Sequence, residues 1–127
     1  MKNYVGNKFS KFSNKSYIDV ITETKYHHPF YTEKPLKTFM SLQFPIILGY
    51  KDSVKYYRDK GFDMFDDIID HSYDGIVDLE EKTEKIADEL LRLSSLDFHK
   101  IYSESKDRLL HNQQLLNEYR MKNKRIE

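Results

Sequence analysis

The fold of this chain is decided by residues 17–49, which read YIDVITETKYHHPFYTEKPLKTFMSLQFPIILG. The first run, Tyr17–Ile21, is β-branched and aromatic on both faces, as expected of a strand buried in a parallel sheet. The last run, Pro45–Gly49, is a short apolar segment closed by glycine and predicts a second buried strand. A helical pattern lies between the two runs. The order strand, helix, strand therefore predicts a parallel β–α–β unit.

The helix of this unit has local start signals. Thr32 belongs to the residue types that cap helices, and Pro35 falls in the first turn, where its missing N–H costs nothing. Apolar side chains from Leu36 to Met40 recur with helical spacing, and we expect the helix to reach about Gln43.

Two further elements are predicted after the second strand. Asp52 or Ser53 can cap a helix that runs through Lys60, and Gly61 suits the position just past its end. Residues 62–65 are apolar enough to predict a third short strand. The predicted fold is therefore α/β, with a small parallel sheet of two to four strands and flanking helices.

The last part of the chain is predicted to be helical. Asp78 and Glu81 resemble a capping box at the start of one helix, which two serines break near residue 94. Residues 97–127 are predicted to form a long C-terminal helix, regular over about 97–124 and ~42 Å long. The amphipathic stripe of the first of these helices consists of Leu79, Ile86, Leu90 and Leu93.

The C-terminal helix carries an apolar stripe of its own. Tyr102, Leu109 and Leu116 repeat every seven residues, as a coiled-coil or bundle seam does. A small domain cannot cover so long a helix, so we expect the stripe to contact another chain or domain. The alternative is that the helix folds back and buries the stripe within its own chain.

Composition limits the classes of protein that remain. The chain has 127 residues, enough for one domain, with a loose lead-in predicted at 1–15 and the domain at 16–96. Lysine plus arginine and aspartate plus glutamate number 21 each, so no nucleic-acid or membrane partner is indicated. No apolar run approaches the roughly 20 residues of a membrane span, and residues 1–15 lack the apolar segment of a signal peptide. We therefore expect a cytoplasmic protein.

The most informative motif is Glu23-Thr-Lys-Tyr-His-His-Pro-Phe-Tyr-Thr-Glu33-Lys34, followed by the predicted helix and second strand. It resembles the donor-site motif of α1,3-fucosyltransferases and related GT-B glycosyltransferases. In that family a strand ends in glutamate, and an aromatic-x-Thr-Glu-Lys sequence opens a helix that leads into a Pro-Val-Val-Leu-Gly-like strand. The ten-residue spacing of the two glutamates matches the family. Thr24 replaces the family's asparagine, and Phe30 replaces its tyrosine.

The resemblance continues downstream. Residues 52–62, Phe65 and residues 70–74 are similar to a set of phage and microbial glycosyltransferase-like proteins, and His111-Asn112 is similar to them more weakly. Together the similarity covers about residues 16–116. It implies that the chain is the C-terminal, Rossmann-like donor-binding half of a two-domain glycosyltransferase.

The resemblance also implies a ligand, a nucleotide-diphosphate sugar, without a metal or a further cofactor. Lys34 would offset the charge that grows on the leaving diphosphate, and the two glutamates would accept hydrogen bonds from ribose or sugar hydroxyls. An aromatic side chain would pack on the base or sugar. The residues implied to form the donor site are Glu23, Phe30, Tyr31, Thr32, Glu33 and Lys34.

Several of these residues also have interpretations that require no ligand. Without the surrounding motif, we would interpret Glu33 and Lys34 as residues that compensate charge at the N-terminus of the helix. His27 and His28 are interpreted as loop residues. A further group of acidic residues and one histidine could suggest a metal site, but we interpret it as a solvated acidic loop with helix caps. That group is Asp66, Asp67, Asp70, His71 and Asp74.

Two hypotheses about function follow. In complete GT-B enzymes the acceptor site and usually the base belong to the N-terminal half, and no residue of this sequence is a convincing base. The first hypothesis is a glycosyltransferase-like domain that binds a nucleotide-diphosphate sugar and needs a partner half for transfer. The alternative is a non-catalytic, phage-type interaction or nucleotide-binding protein that reuses the same scaffold.

Overall fold

A computed structural model describes residues 17–22 and 34–122. The α/β class is confirmed, and the elements follow the predicted order except that the third strand does not form and the C-terminal helix is divided in two. They are β1 (Ile18–Thr22), α1 (Lys34–Met40), β2 (Phe44–Leu48), α2 (Ser53–Asp59), a 3₁₀ helix (Ser72–Gly75), α3 (Leu79–Ser94), α4 (Phe98–Glu104) and α5 (Lys106–Met121).

The described strands form a two-stranded parallel sheet. Ile18 lies opposite Phe44 at one end, and Thr22 lies opposite Leu48 at the other. Both isoleucines of β2, Ile46 and Ile47, are fully buried although they point to opposite faces. Coverage of both faces explains why this strand is a continuous apolar run in the sequence.

Residues 62–65 do not form the predicted third strand. Phe65 has a φ of 58°, which is left-handed rather than extended. The backbone of Asp63 pairs instead with the side chain of Asn112 on α5. Its N–H donates to Asn112 Oδ1 at 2.8 Å, and its carbonyl accepts from Asn112 Nδ2 at 2.9 Å. One buried amide therefore supplies the two backbone hydrogen bonds that a neighbouring strand would otherwise make.

α1 ends at Met40, earlier than the predicted end near Gln43. Leu42 adopts a φ of 59°, so the chain leaves the helix there. The N–H of Gln43 donates to the Thr38 carbonyl at 3.1 Å, and the N–H of Leu42 donates to the Phe39 carbonyl at 3.3 Å. These two bonds form a Schellman motif, which allows β2 to begin within two residues.

Gly61 ends α2, as predicted. Its φ is 103°, and its N–H donates to the Arg58 carbonyl while that of Phe62 donates to the Tyr57 carbonyl. A Cβ at this position would lie 3.2 Å from Cδ2 of Leu115. Glycine is therefore required here by the left-handed backbone and by close packing against α5.

α3 begins at the predicted cap, because the carboxylate of Asp78 accepts from the N–H of Glu81 at 2.8 Å. Its predicted stripe is partly wrong. Leu79, in the first turn, is 48% exposed, so this turn projects past the core. The buried face includes two charged side chains and consists of Lys82, Ile86, Glu89 and Leu93.

The predicted single C-terminal helix is two helices, α4 and α5, which meet at Ser105. Leu109 and Leu116 are buried in the core of their own chain. The hydroxyl of Tyr102 donates to the Leu42 carbonyl at 3.0 Å, and Gln113 Nε2 donates to the Met40 carbonyl at 2.9 Å. α5 therefore folds back along α1, and the heptad-spaced stripe is covered within the chain. The structure therefore supports the alternative, in which Leu109 and Leu116 are buried within their own chain and not exposed for contact with another.

Candidate functional site

The carboxyl ends of β1 and β2 lie at the same edge of the sheet, because Thr22 pairs with Leu48. In open α/β sheets this edge is where ligands bind. The motif implied to form the donor site follows Thr22 directly in the sequence. Lys34 is the first residue of α1. The other five implied residues, Glu23, Phe30, Tyr31, Thr32 and Glu33, lie outside the described residues.

The turn after β2, residues 49–52, forms the described part of this edge. Its first residue, Gly49, accepts a hydrogen bond from Lys82 Nζ at 2.8 Å. Its last residue, Asp52, donates its N–H to the Asp74 carbonyl at 2.8 Å. Lys82 is completely buried. The turn is therefore fixed by two hydrogen bonds, one from the Lys82 side chain of α3 and one to the Asp74 carbonyl of the 3₁₀ helix.

Asp74 caps the start of α2. Its Oδ1 accepts from the N–H of Val54 at 2.8 Å, and its Oδ2 accepts from the N–H of Lys55 at 3.0 Å. Asp52, the predicted cap, has a φ of 68° and makes no side-chain cap hydrogen bond, and Ser53 bonds to the Tyr50 carbonyl instead. The sequence therefore predicted a helix start correctly but assigned it the wrong cap.

Asp74 and Lys82 form an electrostatic pair beneath the turn. Burial raises the pKa of the Asp74 carboxyl, while the two backbone donors and the charge of Lys82 oppose that rise. Burial lowers the pKa of Lys82, and the charges of Asp74 and Asp52 oppose that change. Each charge offsets part of the desolvation of the other. From the sequence Asp74 was named only as one of a group of acidic residues, and Lys82 was not named, although it shares the helical face of Ile86 and Leu93.

His71 and Tyr73 link β2 to the segment after α2. The N–H of Ile47 donates to the Tyr73 hydroxyl at 3.0 Å, and that hydroxyl lies 2.8 Å from His71 Nδ1. His71 Nε2 lies 2.7 Å from the Met64 carbonyl, which can only accept. The Nε2 atom therefore carries a proton. Burial lowers the pKa of His71 and favours the neutral imidazole, in which Nδ1 accepts from the Tyr73 hydroxyl.

Stability should consequently fall with acidification near neutral pH. Burial lowers the pKa of His71, although its hydrogen bond to the Met64 carbonyl opposes this. An unfolded histidine binds a proton below about pH 6.5. The contribution of His71 is therefore fully present above that pH and is lost as pH falls towards the native pKa, by about 1.4 kcal/mol for each pH unit between the two values.

Urea unfolding at several pH values between 5 and 7.5 measures this loss. His71→Gln retains a polar side chain that does not titrate, so it should lack this part of the pH dependence. Equal pH dependence in the two proteins would contradict the assignment to His71.

The acidic group set aside as a metal site is engaged in ion pairs and caps. Arg58 donates to both carboxylate oxygens of Asp66, and Arg108 pairs with Asp67 at 2.7 Å. His71 and Asp74 are buried, so the expectation of a solvated loop is wrong for these two residues. Across residues 17–22 and 34–122, no three acidic, histidine or cysteine side chains converge in a way that could hold a metal ion.

A shallow cleft of about 440 Å³ lies beside this group. Its arginines are already paired within the protein: Arg58 with Asp66, and Arg92 with Glu89 and the Ile68 carbonyl. The lining comprises Arg58, Arg92 and residues 66–72. The cleft is therefore a weaker candidate for a ligand site than the edge of the sheet.

Comparison with known proteins gives no match to a family model, a curated protein or a solved structure. Among the described helices, none has the length and apolar character needed to cross a membrane.

Proposed function

We propose that this chain is a glycosyltransferase-like donor-binding domain that takes a nucleotide-diphosphate sugar. One observation carries the proposal. β1 and β2 are parallel and end at the same edge, and the motif Glu23–Lys34 connects β1 to α1 in the sequence. Ligands of open α/β sheets occupy that edge, so the chemically suited residues belong to the segment where a ligand is expected.

In this proposal the motif supplies three kinds of contact. Lys34 offsets the charge of the diphosphate, which grows as the glycosidic bond breaks. Glu23 and Glu33 accept hydrogen bonds from ribose or sugar hydroxyls. Phe30 or Tyr31 packs against the base or the sugar. Thr32 lies two residues before α1 in the sequence.

Transfer requires an acceptor-binding half in addition to these residues. Positioning of an acceptor and a base provides a large part of glycosyl transfer. His71 is unsuited to act as the base because both of its ring nitrogens are engaged within the protein. We therefore propose that the chain binds the donor but does not transfer sugar by itself. Transfer by the purified 127-residue chain at a turnover typical of enzymes would contradict this part.

A thermal-shift screen with guanosine, uridine and adenosine diphosphate sugars tests the donor site. A ligand at about 100 times its dissociation constant adds about 2.7 kcal/mol to stability, and the melting temperature should rise by several degrees. Lys34→Ala should weaken binding about tenfold or more, as loss of a charge-assisted hydrogen bond does. Lys37→Ala is the matched control, since Lys37 is exposed in the last turn of the same helix.

The two hypotheses give different results in this screen. No shift with any of the sugars at millimolar concentration would contradict the donor-binding proposal and favour the non-catalytic interaction protein. If Lys34→Ala left the ligand-induced rise in melting temperature unchanged, the ligand would bind outside the motif.

A further inference from the structure

β2 is the strand of the described sheet whose outer side lies against later parts of the chain. It pairs with β1 on one side, and the 3₁₀ helix contacts it on the other. Residues 43–50, which include β2, carry no charged side chain, and β2 itself is entirely apolar. The exposed edge of such a strand is a template on which a strand of another molecule can pair. Its outer edge is therefore where copies of this chain would associate if nothing prevented it.

Alternate residues of a strand direct their backbone groups to opposite sides of it. The N–H of Phe44 donates to the Tyr17 carbonyl at 2.8 Å, so the even-numbered residues of β2 face β1. Pro45 and Ile47 therefore direct their backbone groups to the outer edge, and Gly49, the next residue of this series, follows the end of the strand. A further strand beside β2 would have to pair with these three residues.

In each of the three residues a group needed for such pairing is absent or already bonded. Pro45 has no N–H to donate, and proline within a sheet is confined to edges for that reason. The N–H of Ile47 donates to the Tyr73 hydroxyl at 3.0 Å. The carbonyl of Gly49 accepts from Lys82 Nζ at 2.8 Å. The outward backbone of β2 therefore has no N–H group left for an incoming strand.

The two side chains that occupy this edge are fixed in place. Tyr73 belongs to the 3₁₀ helix and Lys82 to α3, and both are completely buried. The Tyr73 hydroxyl also lies 2.8 Å from Nδ1 of His71, which orients it. An incoming strand would have to displace both side chains, and the buried ammonium group of Lys82 would lose its bond to Gly49.

We infer that Tyr73 and Lys82 close the outer edge of β2 to further strands and thereby prevent copies of this chain from pairing through β2. Without either group, a buried backbone group of the edge loses its partner, and pairing with β2 of a second copy is a way to satisfy it. The closure concerns self-association, so it holds whether or not the chain binds a nucleotide sugar.

Tyr73→Phe tests the closure, because it removes the hydroxyl but keeps the aromatic ring. Amide hydrogen exchange should show that the rate at Ile47, relative to that at Ile46, rises about tenfold, as the loss of one buried hydrogen bond implies. The Ile46 amide faces β1 and reports any general loss of stability. Tyr102→Phe is the matched control, since the Tyr102 hydroxyl donates to the Leu42 carbonyl, outside β2. It should leave the ratio unchanged.

Sedimentation velocity over a concentration series measures self-association. Tyr73→Phe and Lys82→Met should each associate at a concentration about tenfold below that of the wild type. Lys85→Met, at an exposed position of α3, should behave as the wild type does. Ile86→Val alters the buried face of α3 without removing a hydrogen bond of the edge. It controls for general destabilisation, which urea unfolding quantifies.

Three results would overturn the closure. An unchanged exchange ratio in Tyr73→Phe would show that the hydroxyl does not protect Ile47. Folded edge variants that associate no more than the wild type, or only as much as Ile86→Val at the same loss of stability, would show that the edge groups do not prevent pairing. If neither edge variant folds, the wild type decides. The closure predicts slow exchange at Ile47, close to that at Ile46, and exchange as fast as that of the exposed Lys51 would overturn it.

Discussion

A double variant, Leu109→Glu with Leu116→Glu, is expected to be unfolded under conditions in which the wild type is native. Both leucines are essentially inaccessible to solvent, at 2% and 0% exposure. Loss of the packing of a buried leucine costs about 2–5 kcal/mol, and a carboxylate in the core adds several kcal/mol more. Two such sites exceed most of the about 5–15 kcal/mol that stabilises a typical domain.

Circular dichroism and light scattering measure the outcome. The matched control is Leu110→Glu with Met121→Glu on the same helix, where exposure is 41% and 87%. That variant should remain folded and lose no more than about 1 kcal/mol. A wild-type dimer that the buried-site variant converts into a folded monomer would contradict the packing of α5 on its own chain and restore the interface.

Asp74→Ala should lower the free energy of unfolding by about 2–4 kcal/mol, because it leaves the N–H groups of Val54 and Lys55 without the charged acceptor of their hydrogen bonds. The change also removes a favourable charge interaction of buried Lys82. Chemical denaturation provides the measurement. Adding Lys82→Met should cost less than the sum of the two single changes, because the charge interaction between the two residues has already been lost.

Asp52→Asn is the control for this prediction. Asp52 occupies the position where sequence patterns place the cap, but its side chain makes no cap hydrogen bond. Asparagine tolerates its φ of 68°, so the change should stay within about 0.5 kcal/mol. If Asp52→Asn and Asp74→Ala lowered the free energy of unfolding equally, the assignment of Asp74 as the cap of α2 would be contradicted.

The parts of the fold that were predicted correctly depend on sequence signals between neighbouring residues. The runs of β1 and β2, the helix cap at Asp78 and the glycine at position 61 all act within a few residues, and each was predicted correctly. The prediction of a strand at residues 62–65 was wrong. Their apolar side chains serve the core, and their backbone is satisfied by Asn112, 49 residues from Asp63. Periodicity indicates burial, but it does not name the hydrogen-bonding partner of the backbone.

The candidate site also has a part that the sequence indicated and a part that it did not. The resemblance in the sequence selected residues 23–34 as the donor motif, and that selection stays a prediction for the residues outside the described ranges. The sequence did not indicate that Asp74 caps α2, 20 residues away at Val54, or that Lys82 contacts Gly49, 33 residues away. In the sequence Lys82 is one of many lysines, and only its burial gives it a role.

The sequence by itself therefore determined the α/β class and the succession of β1, α1, β2 and α2, because propensity, capping and periodicity are properties of neighbouring residues. The tertiary structure decided which aspartate caps α2, which lysine bonds to the turn after β2, and that Leu109 and Leu116 are buried within their own chain. Those outcomes depend on which surfaces meet when distant segments pack. A buried polar group must find its partner among the atoms that packing brings within about 3 Å, wherever they lie in the chain.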